Sequence, residues 1–146
     1  MNVTSTVIAN LDAQVHSLVG GTMPKTVLIV EDHQDSRELL ADALEFSGYA
    51  VLQASDGEEG ERIAIENAPD VILLDISLPK KSGWDVVEAL RLCDATKETP
   101  IIALTAHARA QDESKAMQVG CNHYLPKPVK PKQVLQTIQA LLGEDA

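Results

Sequence analysis

From Thr26 onward the chain alternates short runs rich in Val, Ile and Leu with longer segments whose apolar positions recur every three or four residues. That alternation predicts a parallel sheet covered by helices on both faces. Thr26 to Val30, Ala50 to Ala54, Val71 to Asp75 and Ile101 to Thr105 are predicted strands, and Asn122 to Leu125 is a weaker fifth. The first, third and fourth are nearly continuous aliphatic runs, as strands buried on both faces require, and belong at the centre of the sheet. Between them, Leu39, Leu40, Ala43 and Leu44 share one helical face ahead of a stop at Gly48, and Val86, Val87 and Leu90 do the same in a third helix. The last helix is the clearest, with a stripe of Val134, Leu135, Ile138, Leu141 and Leu142, Pro131 in its first turn and Gly143 at its end. The second helix, Glu58 to Asn67, carries Gly60 in its interior at a cost of about 0.5–1 kcal/mol relative to Ala, and is expected to be the most mobile.

Residues 1–24 precede this pattern. Val3, Val7, Leu11, Val15 and Leu18 recur at helical spacing, Thr4 or Ser5 can cap the start, and Gly20 and Gly21 end it. The segment reads either as an amphipathic helix docked on this or another subunit, or as a disordered tail. Residues 25–143 form the expected domain and 144–146 a short tail. With no effector region expected beyond the last helix, the output should be a protein contact.

Composition narrows the function. At 146 residues, 45% hydrophobic and 23% charged, the chain is an ordinary globular sequence with one core, and no apolar run is long enough for a bilayer. Its formal net charge of −10 opposes binding to a phosphate backbone, so nucleic acid is excluded as a direct partner. The amino terminus has no Lys or Arg before Lys25 and places Asp12 in its most apolar stretch, unlike a secretory signal; a cytoplasmic protein is expected. Cys93 and Cys121 lack metal-ligand spacing and read as two reduced small side chains.

In an open α/β sheet, function gathers beyond the carboxyl ends of the strands. Here those ends carry Glu31 and Asp32, then Asp75, then Thr105, then Lys127 with Pro128. Each has a bland reading when taken alone. Glu31 or Asp32 could cap a helix or sit in solvent, Thr105 could be an ordinary β-branched strand residue, and Tyr124 a half-buried strand aromatic. Trp84 reads as helix packing or a partner contact, and His107 as a loop residue. Together they are informative. Carboxylates about 4 Å apart repel by about 4 kcal/mol at an effective dielectric of about 20, so a cation belongs among them. An oxygen-only donor set favours a hard ion such as Mg²⁺. Lys127 adds a fixed positive charge and Thr105 a hydroxyl, both suited to phosphoryl oxygens.

At this point the sequence resembles the receiver domain of bacterial two-component response regulators. The matching stretches are Val27-Leu28-Ile29-Val30-Glu31-Asp32, Val71-Ile72-Leu73-Leu74-Asp75 with Leu78-Pro79 and Gly83, Ile101 to Ala106, and Tyr124-Leu125-Pro126-Lys127-Pro128. The resemblance implies a doubly wound five-stranded sheet in the flavodoxin-like order 2-1-3-4-5. It implies Asp75 as the residue phosphorylated by a phosphohistidine donor, either a sensor histidine kinase or a histidine phosphotransfer protein. Asp32, Asp75 and the Ser77 backbone carbonyl would hold Mg²⁺, with Glu31 acting through a water. Thr105 and Lys127 would hold the phosphoryl oxygens, with a cis Lys127-Pro128 bond aiming the lysine. Thr105 and Tyr124 would form the switch, Tyr124 turning inward and changing the face of the fourth helix, fifth strand and fifth helix for a downstream target. Ser77 and His107 would tune the phosphate lifetime, and the acids Asp35, Glu38, Asp42 and Glu45 of the first helix would be either a solvated face or a donor contact.

The expected role is thus a single-domain response regulator, a signalling switch and not an enzyme, with intrinsic Mg²⁺-dependent self-phosphorylation and slow autodephosphorylation. The alternative is a phosphorelay intermediate that passes the group on. A flavin mononucleotide binder would need a hydroxyl- and glycine-rich loop where this chain has Glu31-Asp32-His33-Gln34-Asp35, and an aspartyl phosphatase a second acid where it has Ser77. Two departures from the family pattern stand out: Lys81, where an apolar residue is common, and Gly60-Glu61, where Ala-Leu is usual.

Overall fold

A computed structural model describes residues 23–106 and 109–144. The amphipathic stretch from Val3 to Leu18 and His107 lie outside the described residues. Five strands, β1 (Thr26–Val30), β2 (Ala50–Ala54), β3 (Val71–Asp75), β4 (Ile101–Thr105) and β5 (His123–Pro126), alternate with α1 (Gln34–Phe46), α2 (Gly57–Asn67), α3 (Gly83–Leu92), α4 (Ala110–Val119) and α5 (Pro131–Leu142). All strand pairs are parallel, in the order β2-β1-β3-β4-β5. Among the described residues no helix is long and apolar enough to cross a membrane.

The aliphatic runs resolve into two cores because successive side chains leave a strand on opposite faces. Leu28, Val30, Ile72, Leu74, Ile101 and Ala103 pack with Ala64, Val86, Val87, Leu90 and Ala116 of α2, α3 and α4. Val27, Ile29, Val71, Leu73, Ile102 and Leu104 pack with Leu40, Leu44, Val134 and Ile138 of α1 and α5. Side-chain caps set three helix starts: the main-chain N–H groups of Ser36, Glu59 and Asp85 donate to His33, Asp56 and Ser82 respectively. Gly120 and Gly143, at φ 111° and 70°, end α4 and α5 in the left-handed region.

Two expectations about helices change. Leu39, assigned to the core face of α1, is 60% exposed; the buried stripe is Leu40, Ala41 and Leu44. Gly60 is a point of close approach: a Cβ there would lie 2.7 Å from Val30 Cγ1 and 2.8 Å from Cγ2, so its absence lets α2 settle on β1. Val30 is stiff and only 1% exposed, so it cannot yield cheaply. A Gly60→Ala protein is expected to lose roughly 1–2 kcal/mol, overpacking outweighing the better helix propensity of alanine, which a shifted urea midpoint checks. The helix with the thinnest hold is α4, which buries only Ala116 and has no side-chain cap at Arg109.

Candidate functional site

The candidate site forms where β1, β3, β4 and β5 end side by side. Parallel register sets Val30 beside Leu74, Asp75 beside Leu104 and Thr105 beside Pro126. The next residues therefore leave the same edge together. Glu31 is kept on that edge by its N–H, which donates to Ala54 O at 3.0 Å, and Lys127 by its N–H, which donates to Thr105 O at 2.6 Å. Lys127 Nζ then donates to Asp75 Oδ2 at 2.7 Å and to Glu31 Oε1 at 2.8 Å. The other oxygen of Asp75, Oδ1, accepts the Ser77 N–H at 2.9 Å. The Lys127–Pro128 peptide is cis.

Burial separates the roles. Glu31, Asp75 and Thr105 are buried, Asp32 and Ser77 exposed, and Lys127 and Tyr124 half-buried, Tyr124 against the core on the α3 and α4 side. Carboxylate oxygens of Glu31, Asp32 and Asp75 all lie within 4.8 Å of one another, a set that could hold a metal ion. Desolvation pushes the Glu31 carboxyl up to about 7, the neighbouring Asp75 adds to the rise, and Lys127 opposes it. Burial also works against ionised Asp75, but the neighbouring Glu31 carboxyl, Lys127 and the Ser77 N–H outweigh it and leave Asp75 below the usual carboxylate range. The same carboxylates hold Lys127 above its ordinary value despite burial. The site thus keeps an ionised aspartate beside a charged lysine.

Glu31 Oε2 is buried and has no hydrogen-bond partner among the described residues. A buried oxygen left so is costly unless something pairs with it. A hard cation, or a water bound to one, fits that oxygen and the all-oxygen donor set.

One supporting residue was not singled out from sequence. Arg37, on the first turn of α1, donates from its terminal nitrogen to Glu31 O at 2.9 Å and from Nε to Gln53 Oε1 at 3.1 Å, tying the β1 turn to β2. Its place on α1 was legible, but its partner on another strand was not. Trp84 packs half-buried against the core, with Lys115 Nζ of α4 at 5.0 Å from the ring centre. Cys93 and Cys121 are free thiols, and burial pushes Cys121 up to about 11, which makes it unreactive.

The profile of the response regulator receiver domain matches residues 27–139. The chain belongs to the response regulator receiver family. Among curated relatives of this receiver domain, the polar-differentiation response regulator DivK of Brucella anthropi is 40% identical over 122 residues, covering 84% of this chain and 99% of that protein. Among solved structures, the Vibrio cholerae chemotaxis protein CheY4 superposes with a TM-score of 0.77 at 32% identity, covering 80% of this chain and 98% of that one. The receiver domain of the sensor histidine kinase PA1611 from Pseudomonas aeruginosa, solved with a magnesium ion coordinated in its active site cleft, gives a TM-score of 0.77 at 32% identity, covering 83% of this chain and 99% of that one.

Proposed function

We propose that this receiver domain is a phosphorylation-operated switch in which Asp75 takes the phosphoryl group of a phosphohistidine, on a sensor histidine kinase or a histidine phosphotransfer protein, with Mg²⁺ present. One observation carries the reading: three carboxylates converge within 4.8 Å of one another, a single lysine pairs with two of them, and one buried oxygen of Glu31 is left without a partner among the described residues. One lysine cannot balance three carboxylates and an incoming phosphoryl dianion. Mg²⁺, held by Asp32, Asp75 and the Ser77 carbonyl with Glu31 acting through a water, would supply the missing charge and polarise the phosphoryl oxygens.

The chain's own residues do the rest. Ser77 N–H and Lys127 Nζ orient the Asp75 carboxylate. One of its oxygens forms the bond to phosphorus as the bond from phosphorus to the donor imidazole nitrogen breaks, and the ring leaves neutral because its other nitrogen is protonated in the phosphohistidine donor. Charge developing on the equatorial oxygens meets Lys127 and the Thr105 hydroxyl, so catalysis is mainly positioning and charge stabilisation. Beside Glu31 and Lys127 a cleft of about 160 Å³ is lined by Leu39, Leu40, Pro128 and Val129. Exposed Leu39 and the exposed acids Asp35, Glu38, Asp42 and Glu45 of α1 give the donor an apolar contact rimmed with negative charge. Output passes through Thr105 and Tyr124 to the α4, β5 and α5 face, where thinly held α4 is the element most easily shifted and a target protein reads the change.

Incubation with acetyl phosphate and Mg²⁺ tests the reading. The wild type is expected to gain the mass of one phosphate and lose it slowly, and Asp75→Asn to gain none. No gain by the wild type, or a gain that survives in the variant, would overturn it.

A further inference from the structure

The segment between β3 and α3, residues 76–82, leaves the acceptor directly and carries Ser77, whose N–H holds Asp75 Oδ1. Its far side rests on α2 at three points. Lys80 Nζ lies 3.4 Å from Asp56 Oδ2, the residue that caps α2. Lys81 Nζ lies 2.9 Å from Glu61 Oε2, in the second turn of the helix. Between these pairs, a Cβ on Gly57 would collide with the Lys81 carbonyl oxygen, so the loop backbone lies directly on the start of α2. The loop is also tightly bent there: Lys80 has φ 67°, and the Lys81 N–H donates to Pro79 O at 2.8 Å. A non-glycine residue in that region is strained and is held there by its surroundings.

The two ion pairs are unequal. The Lys80 side chain is 62% exposed, so its pair is screened. The Lys81 and Glu61 side chains are only 30% and 25% exposed, and their contact is shorter. The lysine and glutamate that depart from the family pattern are therefore partners, 20 residues apart in sequence, and neither touches the acceptor.

We propose that Lys81 and Glu61 are positioning residues of the acceptor site, whose ion pair seats the 76–82 segment on α2 and thereby fixes the Ser77 backbone beside Asp75. This rests on the reading of Asp75 as a metal-assisted phosphoryl acceptor. Without the pair the segment keeps its contact at Gly57 but gains freedom at its outer turn, and Ser77 is the first residue on which both the carboxylate orientation and the donated carbonyl depend. Groups behind a metal site commonly act in this way, through the orientation of those in front.

Charge reversal tests the pair. Lys81→Glu and Glu61→Lys each set like charges against one another, and the double reversal restores an ion pair of opposite polarity. Two quantities are read: the Mg²⁺ concentration for half-maximal phosphorylation of Asp75 by acetyl phosphate, and the hydrogen-exchange protection of the Ser77 amide in metal-free protein. Each single reversal is expected to raise the half-maximal Mg²⁺ by about three- to tenfold and to lower Ser77 protection. The double reversal is expected to return both to within about twofold of wild type. Unchanged Mg²⁺ dependence in the singles, even with a lowered melting temperature, would overturn the proposal, as would a double reversal no better than its parents. A wild type that takes no phosphate would overturn the acceptor reading, and this inference with it, before any variant is compared.

Discussion

An Arg91→Ala protein is expected to be about 2–4 kcal/mol less stable than wild type, although Arg91 touches no residue of the candidate site. The guanidinium sits where α3 ends and gathers two separate stretches of chain, 96–99 and 120–122. Its Nε donates to Gly120 O at 3.0 Å, one terminal nitrogen to Thr96 O at 3.0 Å, Lys97 O at 3.2 Å and Thr99 O at 2.7 Å, and the other to Asn122 Oδ1 at 2.8 Å. Asn122 Oδ1 also accepts the Ile101 N–H at 2.9 Å, so the cluster ties the start of β4 to the approach to β5. Hydrogen bonds to a charged group contribute about 1.5–3 kcal/mol each. One nitrogen here is shared among three carbonyls, and water can reach part of the cluster, so the sum is well below five full bonds. Lysine has no planar fork, and Arg91→Lys is expected to recover only a minor part. Urea unfolding checks both variants: the midpoint should fall with the slope unchanged. A loss for Arg91→Ala below about 1 kcal/mol would show that the cluster is redundant with the packing of α3.

The second large effect has the opposite sign. Glu31→Gln is expected to stabilise the metal-free protein by on the order of 2 kcal/mol at pH 8, and hardly at all at pH 4.5. Folding raises the Glu31 carboxyl from 4.5 to about 7. Between those values the native state binds a proton that the unfolded state has released. The contribution of protonated Glu31 is therefore complete below about 4.5 and is lost as the pH rises through about 7. Glutamine is uncharged throughout and does not suffer that loss. Asp75 is shifted downward and Lys127 upward, so their own contributions change below the ordinary aspartate value and above the ordinary lysine value, outside this window. Lys127 keeps Asp75 as a partner in the variant. Millimolar Mg²⁺ should narrow the gap at pH 8, because a cation that binds only the folded wild type stabilises it by mass action. Thermal melts at the two pH values, in chelator and then in Mg²⁺, decide the matter. A variant no more stable than wild type at pH 8 in chelator would show that Glu31 carries no unrelieved charge.

The same acidic edge explains how a protein can hold a site that weakens it. The buried Glu31 carboxyl, raised to about 7 chiefly by desolvation, opposes folding once it ionises, whereas Asp75 is held ionised by its neighbours. Arg37 and Ser77 limit the damage with fixed donors on the Glu31 carbonyl and the Asp75 carboxylate. Neither donates to the Glu31 carboxylate itself.

What the sequence determined by itself is local. Strand and helix periods follow from how successive side chains leave the backbone, so β1, β3 and β4 were legible as continuous aliphatic runs, and α5 as a stripe between Pro131 and Gly143. The residues at the strand ends could be read off for the same reason, and resemblance to a known family supplied the strand order. Leu39 was misplaced because a helical stripe has no sharp edge in sequence, and only packing against α5 and the sheet decides which flank is covered. Gly60 looked like a weakness until Val30 was found beneath it. Lys81 looked like an isolated departure until the fold brought Glu61 to it. Tertiary structure alone decided that Lys127 bridges Asp75 and Glu31, which lie 52 and 96 positions away along the chain. Parallel register and strand order set those distances, and they depend on every strand packing at once, so no local window of residues contains them.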